Sequence, residues 1–88
     1  VGIESFESQI GLKLFPNPTK GTFAFIYNYF GESIVELTDL SGKIIRSKTQ
    51  QSVGETTNSY DITDLSKGSY LIRITTKDGT VVKRIIKN

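Results

Sequence analysis

A sandwich of short antiparallel β-strands, about seven of them, is the fold that this 88-residue sequence predicts. Three observations point there. Apolar and polar residues alternate with period two along much of the chain, turn signals recur roughly every eight to twelve residues, and no stretch carries a convincing helical period. A chain of 88 residues makes one domain. At this size about 60–65 % of the unfolded surface is buried, enough for one thin core and not for a core plus a deep cleft.

The elements follow in order. Residues 1–11 have no strong period and read as a lead-in or linker. Residues 12–15 make a short first strand, stopped by Pro16-Asn17-Pro18, whose prolines remove two backbone donors and bias their neighbours toward extended geometry. Thr19-Lys20-Gly21 completes that turn. From 22 to 30 the alternation is clean: Phe23, Phe25, Tyr27 and Tyr29 share one face, an aromatic stripe read as core. Gly31-Glu32-Ser33 reads as a turn into a strand over 34–39, and Ser41-Gly42-Lys43 as a turn into 44–49. Residues 50–56, polar and containing Gly54, read as the most mobile loop, before a strand over 58–62. After a corner at 64–67, residues 68–75 alternate through Tyr70, Ile72 and Ile74, and Asp78-Gly79 signals a hairpin into 80–86. The corner Leu65-Ser66-Lys67-Gly68-Ser69-Tyr70 resembles the L-x-x-G-x-Y turn of fibronectin type III-like domains. That resemblance implies an Ig-like or fibronectin type III-like sandwich, with the Tyr70 hydroxyl tying the crossing between sheets back to the backbone.

The residue inventory argues against catalysis. The sequence holds no His and no Cys, which removes imidazole bases, thiolate nucleophiles and the common zinc and iron–sulfur ligands. Its nine acids are scattered over turns and strand surfaces. Asp61-x-x-Asp64 with Asn58 offers oxygen ligands of the type calcium takes, but the same spacing arises from turn capping, so no metal site is assigned. The glycines stand singly at turns rather than in a phosphate-binding loop, and no cofactor is expected. No apolar run approaches the roughly 18 residues of a membrane helix, so membrane insertion is not expected either. The sequence starts at Val1 and contains no Met, which suggests a piece processed or cut from something longer.

A net charge of +2 is too small to suggest nucleic acid as a partner, yet the charge is unevenly placed. Residues 1–44 carry −2 and residues 45–88 carry +4. A two-residue Asp78-Gly79 turn would set Arg73 opposite Arg84; a three-residue loop over 77–79 would set it opposite Lys83. Either register brings cation against cation, which cross-strand pairing disfavours. This marks a basic stripe that either docks on an acidic partner or splays into water.

Four segments in order carry a more specific signal. Leu12-Lys13-Leu14-Phe15-Pro16-Asn17-Pro18-Thr19-Lys20-Gly21 resembles the opening of the type A C-terminal sorting domains of the type IX secretion system. The block V-E-L-T-D-L-S-G-K at 35–43 is similar to that family's strand and Gly-Lys turn, D-I-T-D-L-S-K-G-S-Y-L-I-R-I at 61–74 to its Gly-x-Tyr block, and V-K-R-I-I-K at 82–87 to its terminal basic strand. The resemblance implies an address label on a larger exported protein. The folded domain would be recognised by an outer-membrane translocation machine, carry an N-terminally attached cargo from the periplasm to the surface or medium, and often be cut off by a surface protease, which can join the cargo to lipopolysaccharide. It places the sorting domain at residues 12–88 with the cut inside 1–11. The matching positions are Pro16, Asn17, Pro18, Gly21, Gly68, Tyr70, Lys83, Arg84 and Lys87, with Arg73 added from the hairpin argument. A surface adhesion or carbohydrate-binding module on the same fold is the alternative; it would need an exposed aromatic platform, for which Tyr29 is the candidate.

Overall fold

The computed structural model describes residues 10–88, so most of the lead-in expected over 1–11, with its cleavage region, lies outside the described residues. Five strands form one curled antiparallel sheet: β1 (Lys13–Phe15), β2 (Thr22–Asp39), β3 (Ile44–Asp61), β4 (Gly68–Thr76) and β5 (Gly79–Lys87). The all-β expectation holds, but the described residues form five strands where about seven were expected. Residues 22–30 and 34–39 are one 18-residue strand, and so are 44–49 and 58–61, joined through the segment expected to be a loop. β2 pairs with β3 along nearly its whole length. On its other edge β2 pairs with β1 at Ala24–Ile26 and with β4 at Ile34–Asp39, and β4 pairs with β5.

The long ribbon bends over on itself, which makes the sandwich. The Lys48 ammonium donates to the Asn58 side-chain oxygen, 2.5 Å away, although the two residues lie ten apart on one strand. A straight strand would set their backbones about 33 Å apart. One layer is therefore β1 with the first half of β2 and the second half of β3. The other is the remaining halves with β4 and β5. At the bend Tyr29 faces Gly54 and Gly31 faces Ser52, with both glycines at positive φ (116° and 134°) that side chains rarely adopt. The inner corner is filled by the Tyr27 hydroxyl, 2.8 Å from Ser33 Oγ and 3.4 Å from Ser52 Oγ, with the Gln50 amide donating to the same oxygen. Ser33 and Ser52 are both buried, so the segment expected to be a loop is strand with one inward-facing serine, while Gln51, Val53 and Glu55 stay exposed.

Phe23, Phe25 and Tyr27 from one layer meet Val35, Leu37, Ile72, Ile74, Val81 and Ile85 from the other, all buried. Tyr60 lies edge-on to Phe23, ring centroids 6.1 Å apart. Ile10 and Leu12 also belong to this core, at 1 % and 2 % exposure, so the packed unit reaches back into the segment read as lead-in. The Ser41-Gly42-Lys43 turn is organised by Asp39, whose carboxylate accepts from the Ser41 hydroxyl at 2.7 Å and from the amides of Ser41 and Lys43. These donors, the Ser41 hydroxyl first, hold the Asp39 carboxyl below the usual carboxylate range.

Candidate recognition surface

The first and last sequence motifs are brought into contact. Thr19 forms an isolated parallel bridge with Lys87: its amide donates to the Ile86 carbonyl, and its own carbonyl accepts from the Asn88 amide, both at 2.8 Å. Two residues earlier, Asn17 continues the pairing with its side chain. Its Nδ2 donates to the Arg84 carbonyl (2.9 Å) and its Oδ1 accepts from the Ile86 amide (3.1 Å). Pro16 and Pro18 have no N–H to give, and the carboxamide between them supplies a donor and an acceptor where a strand would have used its backbone. Asn17, Pro16 and Pro18 are all exposed, and the peptide bonds into both prolines are cis.

Gly21 is buried, and its carbonyl accepts from the Ile62 amide at 2.6 Å. A β-carbon there would stand 2.3 Å from Thr63 Cγ2. Thr63 is fixed in turn by Asp61, whose Oδ1 accepts from its amide (2.9 Å) and hydroxyl (2.7 Å). These two bonds, the backbone one first, hold the Asp61 carboxyl below its ordinary value. Asp64 pairs with Arg46 at 3.1 Å, tying the start of β3 to the corner. Tyr70 is 8 % exposed, and its hydroxyl donates to the Ser66 carbonyl at 2.5 Å. That is the tie to the backbone expected of the Leu65–Tyr70 corner. Gly68, at φ +148°, has open space where a side chain would sit, so its backbone rather than its surroundings requires glycine.

The basic residues separate into two groups. The hairpin turn is Lys77-Asp78, with Thr76 opposite Gly79, and this sets Arg73 opposite Val82 rather than opposite Arg84 or Lys83. The expected cation pair is absent. Arg73 also faces Glu36 on β2, and its Nε donates to the Glu36 carboxylate at 2.9 Å. Lys87 is half-buried, with its ammonium on the carbonyls of Leu65 (2.6 Å) and Thr63 (3.4 Å). It fastens the end of β5 to the corner instead of standing free. Lys83 and Arg84 are exposed and enter no ion pair among the described residues. Tyr29 is half-buried and donates to the Asp78 carboxylate at 2.7 Å, so it ties the ribbon to the hairpin turn. Its neighbour Phe30, at 77 %, is the most exposed aromatic among the described residues. From sequence alone Thr19 has only a place in the turn and Thr63 no role at all; a threonine two residues before a glycine and one two residues after an aspartate are the available signals.

The model of the secretion system C-terminal sorting domain family matches residues 13–88. The chain belongs to that family. No curated protein matched it. The match spans all five strands and both contacting motifs, and it supports a type IX secretion sorting signal at the C-terminal side of a cargo. Sorting domains are not an enzyme family, and their role implies export of the attached protein to the cell surface or the medium.

Proposed function

We propose that this sorting domain is read as a folded body by the outer-membrane machine after its cargo reaches the periplasm, and is then removed by a surface protease. The family match over 13–88 carries the reading. Cleavage falls before Ile10, because Ile10 and Leu12 are core residues and a protease cannot thread them while the domain is folded. Lys83 and Arg84 supply the charge that steers encounter with an acidic receptor surface, since they are exposed and enter no ion pair among the described residues, where Arg73 and Lys87 are already engaged.

Fused behind a periplasmic reporter in a host with the secretion machine, the chain should deliver the reporter to the surface or the medium. A reporter trapped in the periplasm with the domain folded would refute the sorting role and favour the adhesion module. Within that fusion the two lysines should behave differently. Lys83→Ala should leave the stability within the scatter of surface substitutions, about ±0.5 kcal/mol, while reducing export. Lys87→Ala should lower stability by on the order of 1 kcal/mol, because the Leu65 carbonyl loses its ammonium donor. Equal melting curves for the two variants would show that the Lys87 contact contributes nothing.

A further inference from the structure

The outer edge of β5 is closed over half its length. Because the residues of β5 alternate between β4 and the outer edge, Thr80, Val82, Arg84 and Ile86 turn their backbone groups outward. The Arg84 carbonyl, both backbone groups of Ile86 and the Asn88 amide are taken by the Asn17 side chain and the Thr19 backbone. Upstream, at Thr80 and Val82, no strand pairs on that side among the described residues. An open edge is a template for strand addition, and proteins that bind by strand addition use that template. Here the template is blocked where the sorting motif lies.

What stays available at the closed end is side chains. Arg84 and Ile86 sit on the outer face of the sheet, away from the buried Val81 and Ile85. Both are exposed, Arg84 without an ion pair among the described residues and Ile86 as one of the large apolar groups facing solvent. Asn17 lies against the backbone of these same two residues, so exposed Pro16 and Pro18 flank them as one surface.

We propose that Asn17 and Thr19 close the end of β5 against strand addition, so that the receptor, an acidic protein surface, binds the Arg84 and Ile86 side chains beside Pro16 and Pro18 and does not pair with the strand's backbone. The proposal rests on the sorting role stated above and specifies how the signal is presented. Asn17 is a positioning residue in it: it holds the strand and the Pro-Asn-Pro loop in one arrangement.

The two binding modes give opposite signs for Asn17→Ala. Opening the edge should help a partner that adds a strand and harm one that reads the assembled surface. In the reporter fusion, Asn17→Ala should cut export while the domain still melts cooperatively, and the Ile86 amide, deprived of its acceptor, should exchange with solvent at least about tenfold faster. Arg84→Glu, at an exposed side chain that makes no hydrogen bond or ion pair among the described residues, should also cut export with an unchanged melting temperature, and it decides the matter even if Asn17→Ala folds poorly. Export of Arg84→Glu at the unsubstituted level, or Asn17→Ala export equal to or above it, overturns the proposal and leaves the sorting role standing. Failure of the unsubstituted fusion to leave the periplasm removes the sorting role, and the proposal with it.

Discussion

Tyr70→Ala should cost the domain about 3–5 kcal/mol, the usual penalty for truncating a buried aromatic. The ring lies in the core between Asp39 and Ile85, its register partners on β2 and β5, and the substitution removes it together with the bond to the Ser66 carbonyl. Domains have roughly 5–15 kcal/mol in total, so the variant should be largely unfolded well below the melting temperature of the parent. Tyr70→Phe keeps the packing and loses only the hydroxyl, which should cost about 0.5–1.5 kcal/mol. Thermal melts of both variants give the comparison. An unchanged curve for Tyr70→Ala would mean that the corner is not the joint between the layers. Export of a fused cargo should fall in parallel with the folded fraction, because Tyr70 is buried and offers a receptor almost nothing to touch.

The corner was legible because a short motif encloses it: Tyr70 bonds a carbonyl only four residues away. The aromatic core of β2 was legible for a similar reason, since period two is a local property. The same periodicity also held the information that β2 does not turn at Gly31. Phe23, Phe25, Tyr27, Ser33, Val35 and Leu37 are all buried odd-numbered residues, and Gly31 keeps the phase between them. Composition hid this. A bend that packs its inner corner with serines and a tyrosine hydroxyl is as rich in small polar residues as a solvent-exposed turn, and only the partner strand distinguishes them. The hairpin turn falls at Lys77-Asp78, one residue before Asp78-Gly79, because Thr76 organises it, accepting from the Asp78 amide at 3.0 Å and donating to the Gly79 carbonyl at 3.1 Å. That single step moved Arg73 away from Arg84 and Lys83. Its actual partner, Glu36, lies 37 residues earlier, beyond any local reading. The contact between Asn17 and β5 spans 67 residues and could not have come from spacing at all, although each half of it stood out as a motif.

Gly21→Ala tests whether the glycine after Pro-Asn-Pro is required for close approach, and it has a specific rescue. The added methyl would meet Thr63 Cγ2 at 2.3 Å, far inside contact distance, while Thr63 Cβ and Cα stand at 3.5 and 3.6 Å, ordinary van der Waals range. Thr63 has little freedom to retreat, because its amide and hydroxyl are both held by Asp61. Overpacking of this kind typically costs about 1–3 kcal/mol, and relief must come by parting the segment after Pro18 from the end of β3, where the Ile62 amide meets the Gly21 carbonyl. Thr63→Ser removes the offending methyl and keeps the hydroxyl for Asp61. Alone it should cost well under the Gly21→Ala penalty, and combined with Gly21→Ala it should restore most of the lost stability. The double-mutant cycle should therefore show a favourable coupling on the order of 1 kcal/mol or more, since the two sites share one contact. Additive losses in the cycle would place the demand for glycine in the backbone of the turn, and would remove Thr63 from the account of why Gly21 belongs to the motif.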